Sequence, residues 1–204
     1  MRLGTPIPAL LAACTLLGGC ALGTRSNPST FFTLAPTEMP DGSPAAPSDV
    51  TLGLGPVAIP GYLDRPQLVT RVGPNELRLA EFARWGEPLR EGVVRVLRHD
   101  LVAASAARIV VLYPWSLAAP VQLAVAVDVL RFEPNSHGDA ELVARWSVRQ
   151  VPHGRVLTAR DSRIVERAEA TGTGAQVAAL SRALGALGRE IAAAVREVGP
   201  GSGR

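Results

Sequence analysis

At 204 residues, with 47% hydrophobic and 19% charged side chains, the chain is long enough for one folded domain and too apolar for a disordered protein. Its net charge of +3 comes from 21 basic residues, all arginine, against 18 acids. They are scattered and form no basic stripe for nucleic acid. Two cysteines, Cys14 and Cys20, exclude a disulfide scaffold.

Both cysteines fall within the first twenty residues. Arg2 precedes an apolar run over residues 9–17, about the length of the hydrophobic region of an export signal. The run ends at Leu17-Gly18-Gly19-Cys20, which resembles the lipobox of bacterial lipoproteins. The resemblance implies acylation of the Cys20 thiol, cleavage before it, and acylation of the new amino terminus. Two lipid signals already give stable anchoring, so a triacylated cysteine would hold the chain on a bilayer. Ala21 follows Cys20 where aspartate would signal inner-membrane retention, so the outer membrane is the expected destination.

The expected organisation is a signal over residues 1–19, a lipidated tether over 20–30, one domain over 31–198 and a tail over 199–204. Fully extended, the ten tether residues 21–30 reach at most about 35 Å. Residues 31–34 read as a short strand and 35–49, with Pro36, Pro40, Pro44 and Pro47, as a loop. A strand follows over 51–59. Residues 68–71 and 76–79 flank Gly73-Pro74-Asn75 and read as a hairpin. Pro88 then opens a helix on which Leu89, Val93, Val96, Leu97 and Leu101 recur at helical spacing. Residues 108–112 form a short apolar strand. Three alternating segments at 121–129, 141–151 and 155–165, joined at Asn135-Ser136-His137-Gly138 and Pro152-His153-Gly154, read as an antiparallel meander. The last helix carries Val177, Leu180, Leu184, Leu187, Ile191 and Val195 as one apolar stripe. The fold class is α/β: a single domain with a mixed sheet, one parallel pairing through the first helix, a carboxy-terminal meander and two principal helices.

Catalytic chemistry finds little footing. Gly53-Leu54-Gly55 lies in a strand interrupted by Pro56 and Pro60, not in a phosphate-binding turn at a helix start. Thr171-Gly172-Thr173-Gly174 does enter a helix but lacks the lysine of a phosphate loop. His99, His137 and His153 do not stand at metal-ligand spacing. No Gly-x-Ser-x-Gly elbow is present. We expect no enzyme, cofactor or metal.

One cluster of unusual residues remains. It runs Gly55-Pro56-Val57-Ala58-Ile59-Pro60-Gly61-Tyr62-Leu63-Asp64-Arg65-Pro66-Gln67, then Trp85-Gly86-Glu87-Pro88-Leu89, then Tyr113-Pro114-Trp115. These segments resemble the ABC-type transport auxiliary lipoprotein family (PqiC/YmbA type). The resemblance covers roughly residues 31–195. It implies an outer-membrane lipoprotein facing the periplasm, partnering a mammalian-cell-entry-type lipid-transport protein and ABC transporter components that move phospholipid between membranes. It implies no catalytic residue.

Candidate partner-binding residues are Tyr62, Leu63, Asp64, Arg65, Trp85 and Trp115. Each also has a packing role open to it. Trp85 and Trp115 suit the core between sheet and first helix, and Asp64 and Arg65 suit a local salt bridge. Tyr62 and Leu63 point either to a partner or into the fold. Self-association stays open, as do two other functions: a structural envelope adaptor without a part in lipid flux, and a lipoprotein hydrolase.

Overall fold

A computed structural model of the chain describes residues 28–37, 48–105, 107–116 and 118–199. The expected export signal, Cys20, most of the expected tether, residues 38–47 of the expected loop and the tail beyond residue 199 lie outside the described residues. Eight strands and two helices follow in order: β1 (Thr30–Phe32), β2 (Ser48–Ala58), β3 (Gln67–Gly73), β4 (Glu76–Trp85), α1 (Leu89–Ala104), β5 (Ala107–Leu112), β6 (Leu123–Pro134), β7 (Ala140–Gln150), β8 (Val156–Glu166) and α2 (Thr173–Val198). The α/β class, the two helices and the antiparallel meander β6-β7-β8 are as the sequence implies.

The strands divide between two sheets. Five of them, in the order β5-β2-β6-β7-β8, form the main sheet, and β1-β4-β3 form a smaller one. Expectation and structure differ here: the hairpin is not part of the main sheet. Nor is there one parallel pairing. β2 is parallel to both β5 and β6, and β1 is parallel to β4. β2 is therefore a central strand, and the crossover through α1 fills only one of its two edges.

Alternation along the main sheet gives it a helical face and an outer face. Leu52, Leu54, Val125, Val127, Trp146 and Val148 lie on the helical face, each at most 2% exposed. α2 covers those of β6 and β7 with its predicted stripe, all six residues of which are buried, and α1 packs on β2. Burying such side chains contributes roughly 1.5–3 kcal/mol each. Trp146 donates its indole N–H to Ser162 Oγ at 2.9 Å, so its one polar atom is satisfied within the core.

α1 and α2 pack closely where Gly188 faces Asp100. A Cβ at Gly188 would stand 3.0 Å from the Asp100 Cβ, so a larger residue would push the helices apart. The segment after β1 lies across this helical layer. Leu34 is buried, its carbonyl accepts from Arg95 at 2.8 Å, and the Ala35 N–H donates to Ser181 Oγ at 3.2 Å. This is why β1 stops at Phe32 and not at Leu34: the chain leaves the sheet to cover the helices.

Candidate partner-docking site

The 61–66 turn is built from overlapping tight turns. The Leu63 N–H donates to the Pro60 carbonyl at 2.9 Å and the Arg65 N–H to the Leu63 carbonyl at 2.8 Å. Leu63 is drawn inward and is only 2% exposed. Of the two orientations the sequence left open for it, the structure shows the inward one.

Tyr62 is half-buried and belongs to a polar clamp. Its hydroxyl donates to Glu133 Oε2 at 2.9 Å, while Arg71 Nε donates to Glu133 Oε1 at 2.7 Å. The Arg71 guanidinium also lies 5.7 Å from the centre of the Tyr62 ring, and the Phe132 N–H donates to Glu133 Oε2 at 2.9 Å. Glu133 is itself buried, so β6 carries a carboxylate whose two oxygens are both occupied. Burial, the hydrogen bond to Glu133 and the Glu133 charge push the Tyr62 phenol up from 10.0 to about 12, against the pull of Arg71. This clamp ties the turn and β3 to the end of β6.

The outward side of the turn is different. Asp64 pairs with Arg90 of α1 at 3.0 Å, with both side chains about half exposed. Such a pair contributes at most about 1 kcal/mol. The Nε of Arg65 is buried without a hydrogen-bond partner. Beside them, the Trp85 N–H donates to the Pro66 carbonyl at 2.7 Å and fixes the corner that leads into α1. Turn and corner enclose a depression of about 370 Å³ bordered by Asp64, Arg65, Trp85 and Glu87. Trp85 packs into the core at 8% exposed, as its packing role requires.

Trp115 lies elsewhere. Its ring stands over Gly53, where a Cβ would come within 2.8 Å of it. Gly53 alternates with Leu52 and Leu54, so Trp115 covers the outer face of the sheet and does not lie between sheet and α1. Next to it, Gly55 has φ +119° and a Cβ there would meet the Tyr113 Cβ at 2.7 Å. Tyr113 and Trp115 meet edge to face at 5.5 Å. Tyr113, 57% exposed, belongs to the quoted motif but is not among the candidate partner-binding residues. A glycine-x-glycine inside a strand, facing an aromatic-proline-aromatic after the neighbouring strand, is the signal that could have found it. Gly55-Pro56, Tyr113-Pro114 and Val151-Pro152 are all cis and border one depression of about 210 Å³. It shares no lining residue with the first.

Residues 32–192, more than three quarters of the chain, match the family described as the ABC-type transport auxiliary lipoprotein component. This chain belongs to that family. Among solved structures, the chain is similar to an uncharacterized protein (TM-score 0.69, 16% identity, 83% of this chain and 99% of the other). It is also similar to protein XCC0632 from Xanthomonas campestris, of family DUF330 (TM-score 0.67, 21% identity, 80% and 92%). At these identities the likeness shows a shared fold. No curated protein matches the sequence.

The remaining candidates of the auxiliary lipoprotein fall into ordinary surroundings. His99, 61% exposed, approaches Asp100 Oδ1 at 3.3 Å, and His137 and His153 are exposed in turns. Gly172, with φ +102°, precedes α2 as a plain helix entry. Among the described residues no group of three or more His, Cys, Asp or Glu could hold a metal ion.

Proposed function

We propose that this auxiliary lipoprotein is an outer-membrane subunit of an intermembrane phospholipid-transport system. In this reading it is acylated at Cys20 and faces the periplasm. It is the periplasmic partner of a mammalian-cell-entry-type protein and its ABC transporter. Membership of a transport auxiliary lipoprotein family supports the transport role, and the Leu17-Gly18-Gly19-Cys20-Ala21 sequence supports the anchor and its destination.

The observation that carries the docking part is the division of labour within the 61–66 turn. Leu63 and the Tyr62–Glu133–Arg71 clamp hold it rigidly from inside, leaving Asp64 and Arg65 on the rim of a depression floored by Trp85. A preorganised rim with an aromatic floor is suited to binding, because little ordering entropy remains to be lost on association.

The test is affinity capture of the acylated chain from detergent-solubilised envelopes, with mass spectrometry of what co-purifies. A mammalian-cell-entry-type protein and an ABC permease should appear with the native chain and be lost with Asp64→Arg/Arg65→Glu, while the melting temperature stays within a few degrees. Normal co-purification by that variant would remove the turn from the interface. Capture of envelope proteins with no transporter component would favour the adaptor reading.

A further inference from the structure

The small sheet has a face that the core does not use. Register sets Phe31, Arg84 and Gln67 side by side across β1, β4 and β3. Phe82 stands two residues before Arg84 on β4, past the bulge in that strand, and Ala83 between them packs against the core, so Phe82 shares the outward face with Arg84. Phe32 and Trp85, partners in the register, pack the opposite way against the core. On the outward face Phe31 is 65% exposed and Phe82 40% exposed.

Arg84 lies between these rings, and its Nε is buried without a hydrogen-bond partner. Its guanidinium forms no ion pair among the described residues, whereas Arg71, Arg90 and Arg95 are all paired. Two exposed aromatic rings beside an unpaired guanidinium group match the lipid–water boundary. Rings enter the edge of the acyl region, and guanidinium groups take phosphate oxygens.

Chain length says which surface is within reach. Residues 21–30 span at most about 35 Å between Cys20 and Phe31, and the tether enters the fold on β1, one of the two edge strands of this sheet. We propose that the outward face of the β1-β4-β3 sheet, centred on Phe31, Phe82 and Arg84, lies against the membrane that anchors the chain and binds anionic phospholipid headgroups. The inference rests on acylation at Cys20 as proposed above. It makes the domain an oriented platform on the bilayer, not a body swinging on a tether.

The test uses the acylated full chain. Cys14 leaves with the signal and Cys20 carries lipid, so Phe82→Cys gives one reactive thiol for an environment-sensitive NBD label. Phe31→Cys serves as a second site should the first variant fold poorly, and Val165→Cys on β8 of the other sheet is the control. Reconstituted in phosphatidylethanolamine/phosphatidylglycerol vesicles, the labels at 82 and 31 should shift to the blue and be quenched by spin-labelled lipid. The label at 165 should stay aqueous. Phosphatidylcholine vesicles, or Arg84→Gln added to Phe82→Cys, should diminish the shift. Chains that float with the vesicles but read water at 82 and 31 overturn the docking face. An equal shift with and without phosphatidylglycerol overturns its headgroup chemistry. A chain without acyl mass that fails to float overturns the anchor, and this inference with it.

Discussion

The two sheets of this protein reach order by different physical routes. The main sheet and α2 rely on apolar area: Trp146, Leu142, Leu180, Leu184, Leu187 and Ile191 are all at most 1% exposed. The small sheet adds to its buried Leu68, Val69 and Trp85 a few polar ties, above all Tyr62–Glu133–Arg71. A core of the first kind is costly to load with an unpaired charge and absorbs modest polar changes elsewhere. A clamp of the second kind concentrates its contribution in single atoms and responds to pH.

Four measurements would break or sharpen that contrast. The largest effect is expected for Leu184→Asp, which buries an unpaired carboxylate in the α2 stripe. It should destabilise by more than about 4 kcal/mol, read by chemical denaturation. Unchanged unfolding would mean that α2 contributes far less than its burial implies. Glu133→Gln comes next. It leaves the largely buried Arg71 guanidinium unpaired and should cost about 2–4 kcal/mol. It should also bring the Tyr62 phenol part-way down from about 12, since burial, the largest cause, remains.

That clamp also sets an alkaline limit. The folded state holds the Tyr62 proton more tightly than the unfolded chain, whose phenol titrates at 10.0. The stabilisation is therefore complete below pH 10 and lost as pH rises towards about 12. Absorbance at the phenolate band in a Tyr113→Phe background should show Tyr62 ionising late, and Tyr62→Phe should abolish this part of the stability profile.

The smallest effect is expected at the helix contact. Asp100 is buried, its Oδ2 lacks a hydrogen-bond partner, and burial pushes its carboxyl above 3.8 despite His99 and Arg189. Here the folded state favours the protonated form, so stability from this group rises as pH falls towards 3.8. Asp100→Asn should raise the melting temperature slightly at neutral pH, with the gain shrinking in acid. A lower melting temperature at pH 7 would show that the His99–Asp100 contact outweighs the burial.

How much of this was legible beforehand follows the same division. The α2 stripe and the meander were readable because a regular period survives in the sequence wherever one face meets one core. Beyond Leu79 on β4 the period fails. Gln67 pairs with Arg84 but Val69 with Leu79, so the extra residues bulge and the strand runs on to Trp85 unrecognised. Periodicity also says nothing about which strands become neighbours, so the second parallel partner of β2 and the separation of the small sheet were hidden. At the site, Tyr62 and Leu63 were placed correctly in a turn. The inward direction of Tyr62 depends on Glu133, seventy-one residues away in sequence, and that of Leu63 on the core it joins. Of the two roles open to Trp115, the packing one named the wrong face, because its seat is made by a glycine, a residue whose role shows only in what it makes room for.

The central position of β2 has a consequence for the order in which the chain can fold. Leu52 pairs on one side with Val110 and on the other with Leu123, so both edges of this strand are filled by segments far downstream. Such non-local closure is slow, because loop entropy is lost before any ladder bond rewards it. A chain emerging amino end first carries β2 unpaired, with its Val and Leu side chains open to water, until β6 has followed it out. During export the domain would thus remain threadable for most of its length, and the sheet would close only when the meander arrives.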